Sequence, residues 1–166
     1  MKPRLFGFSV ALVVLILDQL AKWAVAGPLK LQWVGQIYIL PIFNLTWVEN
    51  NGISLGLLNA STELGRWMLV AVTAAIAIGV AIWIGREKAR WDQLALGMIL
   101  GGALGNILDR ARHGYVVDFA DLHFGTFRPF LVFNVGDAAI SIGVAILLLR
   151  AFLVRHEKPE ESLDHA

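Results

Sequence analysis

Four long apolar stretches constrain this chain more than any other feature. A helix needs about 20 apolar residues to cross the hydrocarbon core of a bilayer, and residues 5–26, 67–84, 94–108 and 135–154 approach that length. The third is the shortest and the richest in glycine, so its ends are marked least sharply. Hydrophobic residues make up 57% of the chain and charged residues only 16%, a balance foreign to ordinary soluble domains. Lipid is therefore the expected solvent for most of the molecule. No linker or repeat divides the runs, so residues 1–155 are expected to form one membrane domain, with 156–166 a polar, disordered tail.

The first stretch has a second reading. Lys2 and Arg4 precede an apolar run ending in Ala24-Val25-Ala26, the pattern of a cleavable signal peptide. The run is longer than a signal-peptide core, however, and carries Asp18 and Lys22 in its last turns, which favours a retained helix. With four spans, Lys2, Arg4, Arg86, Lys88, Arg90, Arg155 and Lys158 fall on one side. Lys30, Arg66, Arg110, Arg112 and Arg128 fall on the other, spread over much longer segments. Cytoplasmic loops are the ones rich in Lys and Arg, so both termini are expected in the cytoplasm and the segments 27–66 and 109–134 outside.

Those two outer segments are where function is expected. The first holds Ile37 to Leu40 and Phe43 to Val48, β-prone pieces separated by Pro41, then the turn signal Asn50-Asn51-Gly52. Residues 53–58 are apolar enough to lie in the interface or cover a site. The expected fold class is thus an all-α integral membrane protein, with four transmembrane helices, a small extracytoplasmic β element and an interfacial segment.

A net charge of +1 provides no basic field for a nucleic-acid backbone, and the absence of cysteine excludes disulfides and thiolate chemistry. His113 and His123 stand alone, without the spacing of a metal site, so neither metal nor organic cofactor is expected. Carboxylates remain. One at membrane depth costs roughly 2.5 to 3.5 kcal/mol on insertion scales, so it needs a partner or a purpose.

Asp18 and Asp137 fall inside predicted spans, and Asp109, Asp118 and Asp121 just beyond the third. Asp18 and Lys22, four residues apart on one helical face, form the simplest internal ion pair. Asp109 and Arg110 can pair with neighbours or snorkel to the interface. Asp137 opens the fourth span at the same outer face that Asp118 or Asp121 can reach. Two facing carboxylates can share a proton, one serving as base on a water and the other donating to a carbonyl oxygen. Against this, Asp137 can simply favour a helix N-terminus, Asp118 and Asp121 can be solvated loop residues, and spacing does not choose between those two. Gly97, Gly101 and Gly105 repeat every four residues, a helix-packing pattern.

Five blocks together resemble the lipoprotein signal peptidases, the type II signal peptidases of bacterial inner membranes. They are Asp18-Gln19-Leu20-Ala21-Lys22, Asn50-Asn51-Gly52-Ile53-Ser54, Gly101 to Arg110, Val116-Val117-Asp118-Phe119, and Phe133-Asn134-Val135-Gly136-Asp137. The resemblance spans nearly the whole chain. It implies that Asp118 and Asp137 are the catalytic pair, which decides against Asp121. It places Asn50, Gly52, Asn106, Arg110 and Asn134 around the pocket as binding or orienting residues, and gives Asp18, Lys22 and Asp109 structural roles. The implied reaction is removal of the signal peptide from a prolipoprotein, cut on the amino side of a cysteine that carries diacylglycerol. Membrane lipid is an expected partner and a monomer the expected state. Leu55, Gly136 and Ala138 depart from the family's frequent Phe, Ala and Ser. Gly136 is expected to loosen the start of the fourth helix, since glycine costs roughly 1 kcal/mol of helix propensity relative to alanine.

Two other classes remain from the residues alone. A transporter subunit would use Asp18, Lys22 and Asp137 as a relay, but no second charged patch marks a through-path. A membrane phosphatase or lipid transferase would draw on Arg110, Arg112, His113 and Arg128, a weak version of a phosphate site.

Overall fold

In the computed structural model, which describes residues 3–52 and 62–155, the four apolar stretches are helices. They are α1 (Pro3–Ala26), α3 (Glu63–Arg86), α4 (Arg90–His113) and α5 (Val135–Arg155), with a single turn, α2 (Leu31–Val34), after the first. Each long helix has 21 to 24 residues, about 32 to 36 Å at 1.5 Å per residue, enough to span a bilayer. Residues 53–58, expected to cover a site, and the tail 156–166 lie outside the described residues.

Helices α3 and α4 run past the expected limits, because hydropathy marks only the lipid-facing length while the polar turns at either end are helical as well. Thr62 caps α3 by accepting the N–H of Gly65 at 3.1 Å. Helix α4 stops at Gly114, whose φ of 90° lies in the left-handed region that glycine enters without penalty. Asp109 is consequently not beyond the third span, as expected, but inside α4 and buried.

Helix α4 is the centre of the bundle, packed against α1, α5 and α3. Its mean hydropathy of 1.2 is the lowest of the four spans, against 1.8, 2.4 and 1.9 for the others. Neighbouring helices shield it from lipid, so it can carry Gln93, Asn106 and Asp109 buried in its length. Its glycines permit the close approach: a Cβ at Gly97 would strike the carbonyl oxygen of Gly7, one at Gly101 that of Ala11, and one at Gly102 that of Gly136. The expected packing role of Gly97 and Gly101 is what the structure shows.

A three-stranded antiparallel sheet of order β1-β2-β3 sits at one end of the bundle. Its strands are β1 (Gln36–Leu40), β2 (Phe43–Asn50) and β3 (Val116–Leu122). The hairpin follows the β-prone pieces read from the sequence, whereas β3 was not anticipated. An apolar layer of Val25, Leu31, Val117, Phe119 and Ala120, with Leu45, Trp47 and Phe133 against it, fixes the sheet to the bundle. The backbone of Phe133 pairs with Ala120, donating at 3.1 Å and accepting at 2.8 Å. This pairing sets the start of α5 beside β3.

Candidate active site

Residues from α1, β2, α4, β3 and α5 meet at the sheet end of the bundle. Asp118 is central and only 1% exposed. Its Oδ2 accepts from Nδ2 of Asn50 at 2.9 Å, and its Oδ1 from Nδ2 of Asn134 at 2.6 Å. Strand register explains the first contact. Val48 lies opposite Asp118, so Asn50, two residues on, is the diagonal neighbour on the same face. The turn that follows locks the amide: Oδ1 of Asn50 accepts the N–H of Gly52 at 2.8 Å, and Gly52 adopts φ 90°. Nδ2 of Asn50 is thereby turned toward Asp118.

Asp137 is held by a reciprocal cap at the first turn of α5. The N–H of Asp137 donates to Oδ1 of Asn134 at 2.9 Å, while Oδ2 of Asp137 accepts the N–H of Asn134 at 3.2 Å. This is a capping box with Asn and Asp in the two roles. Asn106 of α4 completes the link, donating to Oδ1 of Asp137 at 2.8 Å and accepting from Nδ2 of Asn134 at 3.1 Å. One residue, Asn134, therefore bonds both aspartates. The loosening expected at Gly136 is countered by this cap and by the N–H of Gly136, which donates to Oδ1 of Asp18 at 2.9 Å. The absence of a Cβ there also suits the spot, since one would sit 3.0 Å from the carbonyl oxygen of Gly102.

Behind the pair lies a buried ionic cluster. Nζ of Lys22 is 2.8 Å from Oδ2 of Asp18, as the spacing on α1 implied, and 2.8 Å from Oδ2 of Asp109. It also donates to Oδ1 of Asn106 at 3.1 Å. Gln19 donates to Asp18 at 3.2 Å and to Asp109 at 3.0 Å. Gln19 was not singled out from the sequence. Its signal was present, because Asp18, Gln19 and Lys22 form one polar stripe on an otherwise apolar helix.

Electrostatics separate the members. Burial pushes the Asp118 carboxyl up to about 6, assisted by the negative charge of Asp137 and opposed by the amides of Asn50 and Asn134 and the charge of Lys22. Arg110 is within electrostatic reach of Asp137, Asp118 and Asp109, and its Nε is buried with no hydrogen-bond partner among the described residues. Asp121 is elsewhere. It pairs with Arg128 through two contacts, at 3.0 and 3.2 Å, and accepts from Thr46 at 3.0 Å. That arrangement, the guanidinium foremost, holds its carboxyl below the usual range.

A cavity of about 250 Å³ adjoins Asp137, lined by Phe130, Phe133, Ala138, Ser141 and Ile142. His123 contacts Asn44 at 2.7 Å, and no cluster of metal-ligating side chains occurs among the described residues.

Fold and site together define a polytopic membrane protein with two carboxylates joined through shared amides at one end of a helical bundle. The family model described as signal peptidase (SPase) II matches residues 10–153. The chain is 58% identical over 162 residues to the lipoprotein signal peptidase of Rhizorhabdus wittichii, covering 97% of this chain and 94% of that one. It is 57% identical over 149 residues to that of Sphingopyxis alaskensis, covering 90% and 86%. A solved bacterial membrane enzyme superposes with a TM-score of 0.78 at 27% identity, over 95% of this chain and 94% of that one. This chain belongs to the signal peptidase II family, and is a multi-pass membrane peptidase.

Proposed function

We propose that the chain is an aspartyl endopeptidase in which Asp118 and Asp137 hydrolyse one peptide bond with a water between them. The observation that carries this reading is the double use of Asn134, whose Nδ2 bonds Asp118 and whose backbone N–H bonds Asp137. A proton is shared between neighbouring carboxylates because two like charges at close range resist joint ionisation. The ionised member takes a proton from water, whose oxygen attacks the carbonyl carbon. The protonated member delivers its proton to the carbonyl oxygen. Collapse of the tetrahedral adduct then breaks the C–N bond: the leaving nitrogen receives the proton held by the base, and one hydroxyl of the adduct returns its proton to the other aspartate, restoring the singly protonated pair. Asn50, with Gly52 turning it, and Asn106 and Asn134 keep the carboxylates oriented. Arg110, within electrostatic reach of both aspartates, is placed to orient the pair or the bound peptide.

The substrate we infer is a prolipoprotein carrying diacylglyceryl-cysteine, cut on the amino side of that cysteine, because the relatives are lipoprotein signal peptidases. Lipid chains would remain in the bilayer beside the helices, and the apolar cavity next to Asp137 gives the peptide's apolar side chains a wall to lie against. Such remote contacts hold the scissile bond in place for attack. The excess of Lys and Arg near the termini and in the short α3–α4 connection favours cytoplasmic termini and an extracytoplasmic site. Structural roles for Asp18, Lys22 and Asp109 fit their mutual ion pairs.

The test is cleavage of a synthetic diacylglyceryl-modified prolipoprotein by the purified protein in detergent, with mass spectrometry of the products. A new amino terminus at the modified cysteine, lost in Asp137→Asn, is expected. Cleavage at another bond would overturn the substrate assignment, and an unaltered rate in Asp137→Asn would overturn the pair.

A further inference from the structure

Each proposed catalytic aspartate follows a residue whose backbone N–H is held by a different carboxylate, and both carboxylates are held by the same lysine. Ahead of Asp118, the N–H of Val117 donates to Oδ2 of Asp109 at 3.1 Å. Ahead of Asp137, the N–H of Gly136 donates to Oδ1 of Asp18 at 2.9 Å. Nζ of Lys22 lies 2.8 Å from Asp18 and 2.8 Å from Asp109. Its third contact, at 3.1 Å, is Oδ1 of Asn106, the amide that donates to Asp137.

We propose that Lys22 is a positioning residue for catalysis, the hub of a yoke whose two carboxylate arms set the spacing of the strand and the helix that carry the aspartate pair. This deepens the reading of Asp118 and Asp137 as that pair and rests on it. A purely architectural ion pair on α1 would need only Asp18. Here the ammonium satisfies three acceptors from two helices, and all three lead within one or two bonds to the segments bearing Asp118 and Asp137. The close fit extends to the backbone, where a Cβ at Gly105 would collide with Oδ2 of Asp18. Asp18 is completely buried and Lys22 nearly so, so no water competes for these contacts and the geometry is transmitted rather than averaged.

The charged groups around the yoke are Asp18 and Lys22 on α1, Asp109 and Arg110 on α4, Asp118 on β3 and Asp137 on α5. Lys22 is among the charges that favour ionised Asp118. Its removal therefore shifts the pH limb belonging to Asp118 upward, a change that a loss of packing alone would not produce.

The experiment compares Lys22→Met, Asp109→Asn and Asp92→Asn in the full-length protein, each assayed well below its own unfolding midpoint with a diacylglyceryl-modified prolipoprotein. Asp92, paired with Arg150 through contacts of 2.6 and 3.2 Å between α4 and α5, lies far along α4 from the pair and serves as the control. For Lys22→Met the expected result is a roughly 100-fold fall in kcat, the scale of a misplacement of about 1 Å. KM should stay within about threefold, because an interaction exerted in the transition state lowers kcat rather than binding. Asp92→Asn should lose thermal stability and keep its kcat.

An unaltered kcat in folded Lys22→Met, or a loss confined to KM, would overturn the proposal. Should Lys22→Met not fold, Asp109→Asn decides. It keeps an acceptor for the Val117 N–H but no charge to hold Lys22, so reduced kcat supports the yoke and unaltered kcat overturns it. Failure of the aspartate pair itself reads differently, as cleavage retained in Asp118→Asn or Asp137→Asn.

Discussion

Strand β3 carries two aspartates three residues apart, each 1% exposed, in opposite circumstances. Among the described residues Asp118 is bonded by neutral amides alone, from Asn50 and Asn134, and burial raises its carboxyl to about 6. Asp121 is bonded by the Arg128 guanidinium and the Thr46 hydroxyl, and its carboxyl is lowered. An odd separation puts them on opposite faces of the strand. Strand β2 changes phase to match. Between Leu45, opposite Ala120, and Val48, opposite Asp118, it spends one residue more than β3, a bulge. Thr46 thus bonds Asp121 and Asn50 bonds Asp118, each standing two residues along β2 from the residue opposite its aspartate, Asn44 and Val48. Burial alone does not make a carboxylate reactive. A group neutralised by a cation is a fastener, whereas one kept among amides and beside a second carboxylate retains a proton near neutral pH.

Several substitutions put this contrast under strain, and the largest effect should come from Asn134→Ala. It removes the donor to Asp118 and half of the Asp137 cap at once. We expect kcat to fall roughly 100-fold and folding to lose about 1 to 2 kcal/mol, the scale of a lost N-cap. Steady-state kinetics and thermal melts would check both, and an Asn134→Ala protein with full activity would mean that the two aspartates do not act through a common amide.

Next in size is Asn50→Ala, which frees one oxygen of Asp118. Its loss removes an amide that favours the ionised form, so a rate reduced roughly tenfold, at the lower end for lost orienting contacts, should accompany an upward shift of the high-pH limb. A pH profile of kcat/KM would show it. In the unaltered protein that limb should fall near 6, because in the proposed mechanism the singly protonated pair is the active form and is lost as Asp118 ionises. The limb of kcat should lie higher, since bound substrate excludes water and disfavours the second charge further.

Stability gives a smaller signal with opposite signs at the two ends of β3. The Asp118 carboxyl is raised above its ordinary 3.8. Its contribution is therefore full below about 3.8 and lost as pH climbs through about 6. Asp121 is lowered, so its contribution is present above the ordinary carboxylate range and lost as pH falls below it. Thermal melts of Asp118→Asn and Asp121→Asn should accordingly diverge from the unaltered protein in opposite pH regions. The smallest effect on rate belongs to Arg128→Ala, which should lower the melting temperature and leave kcat unchanged. Were it to abolish cleavage, the division of labour along β3 would be wrong.

Hydropathy marked the four helices because lipid-facing length is a one-dimensional property, visible as uninterrupted apolar runs. The hairpin was legible from the β-prone pieces on either side of Pro41. Strand β3 was not, since Val116 to Leu122 is buried on both faces and shows no alternation. Asp109 was misplaced for a related reason: a helix shielded by three neighbours can carry carboxylates past the point where hydropathy drops. Residue chemistry left Asp118 and Asp121 equivalent, and family resemblance chose between them. The bulge in β2, a tertiary feature with no local signature, is what gives the two aspartates different partners.

The most direct test is therefore a side-by-side cleavage assay of Asp118→Asn, Asp121→Asn and the unaltered protein at matched folded fraction, with a diacylglyceryl-modified prolipoprotein as substrate. The account predicts loss of roughly 10³-fold or more in Asp118→Asn, the scale of lost general acid–base catalysis, and nearly full activity in Asp121→Asn. Equal activity in the two variants, or a greater loss in Asp121→Asn, would contradict it.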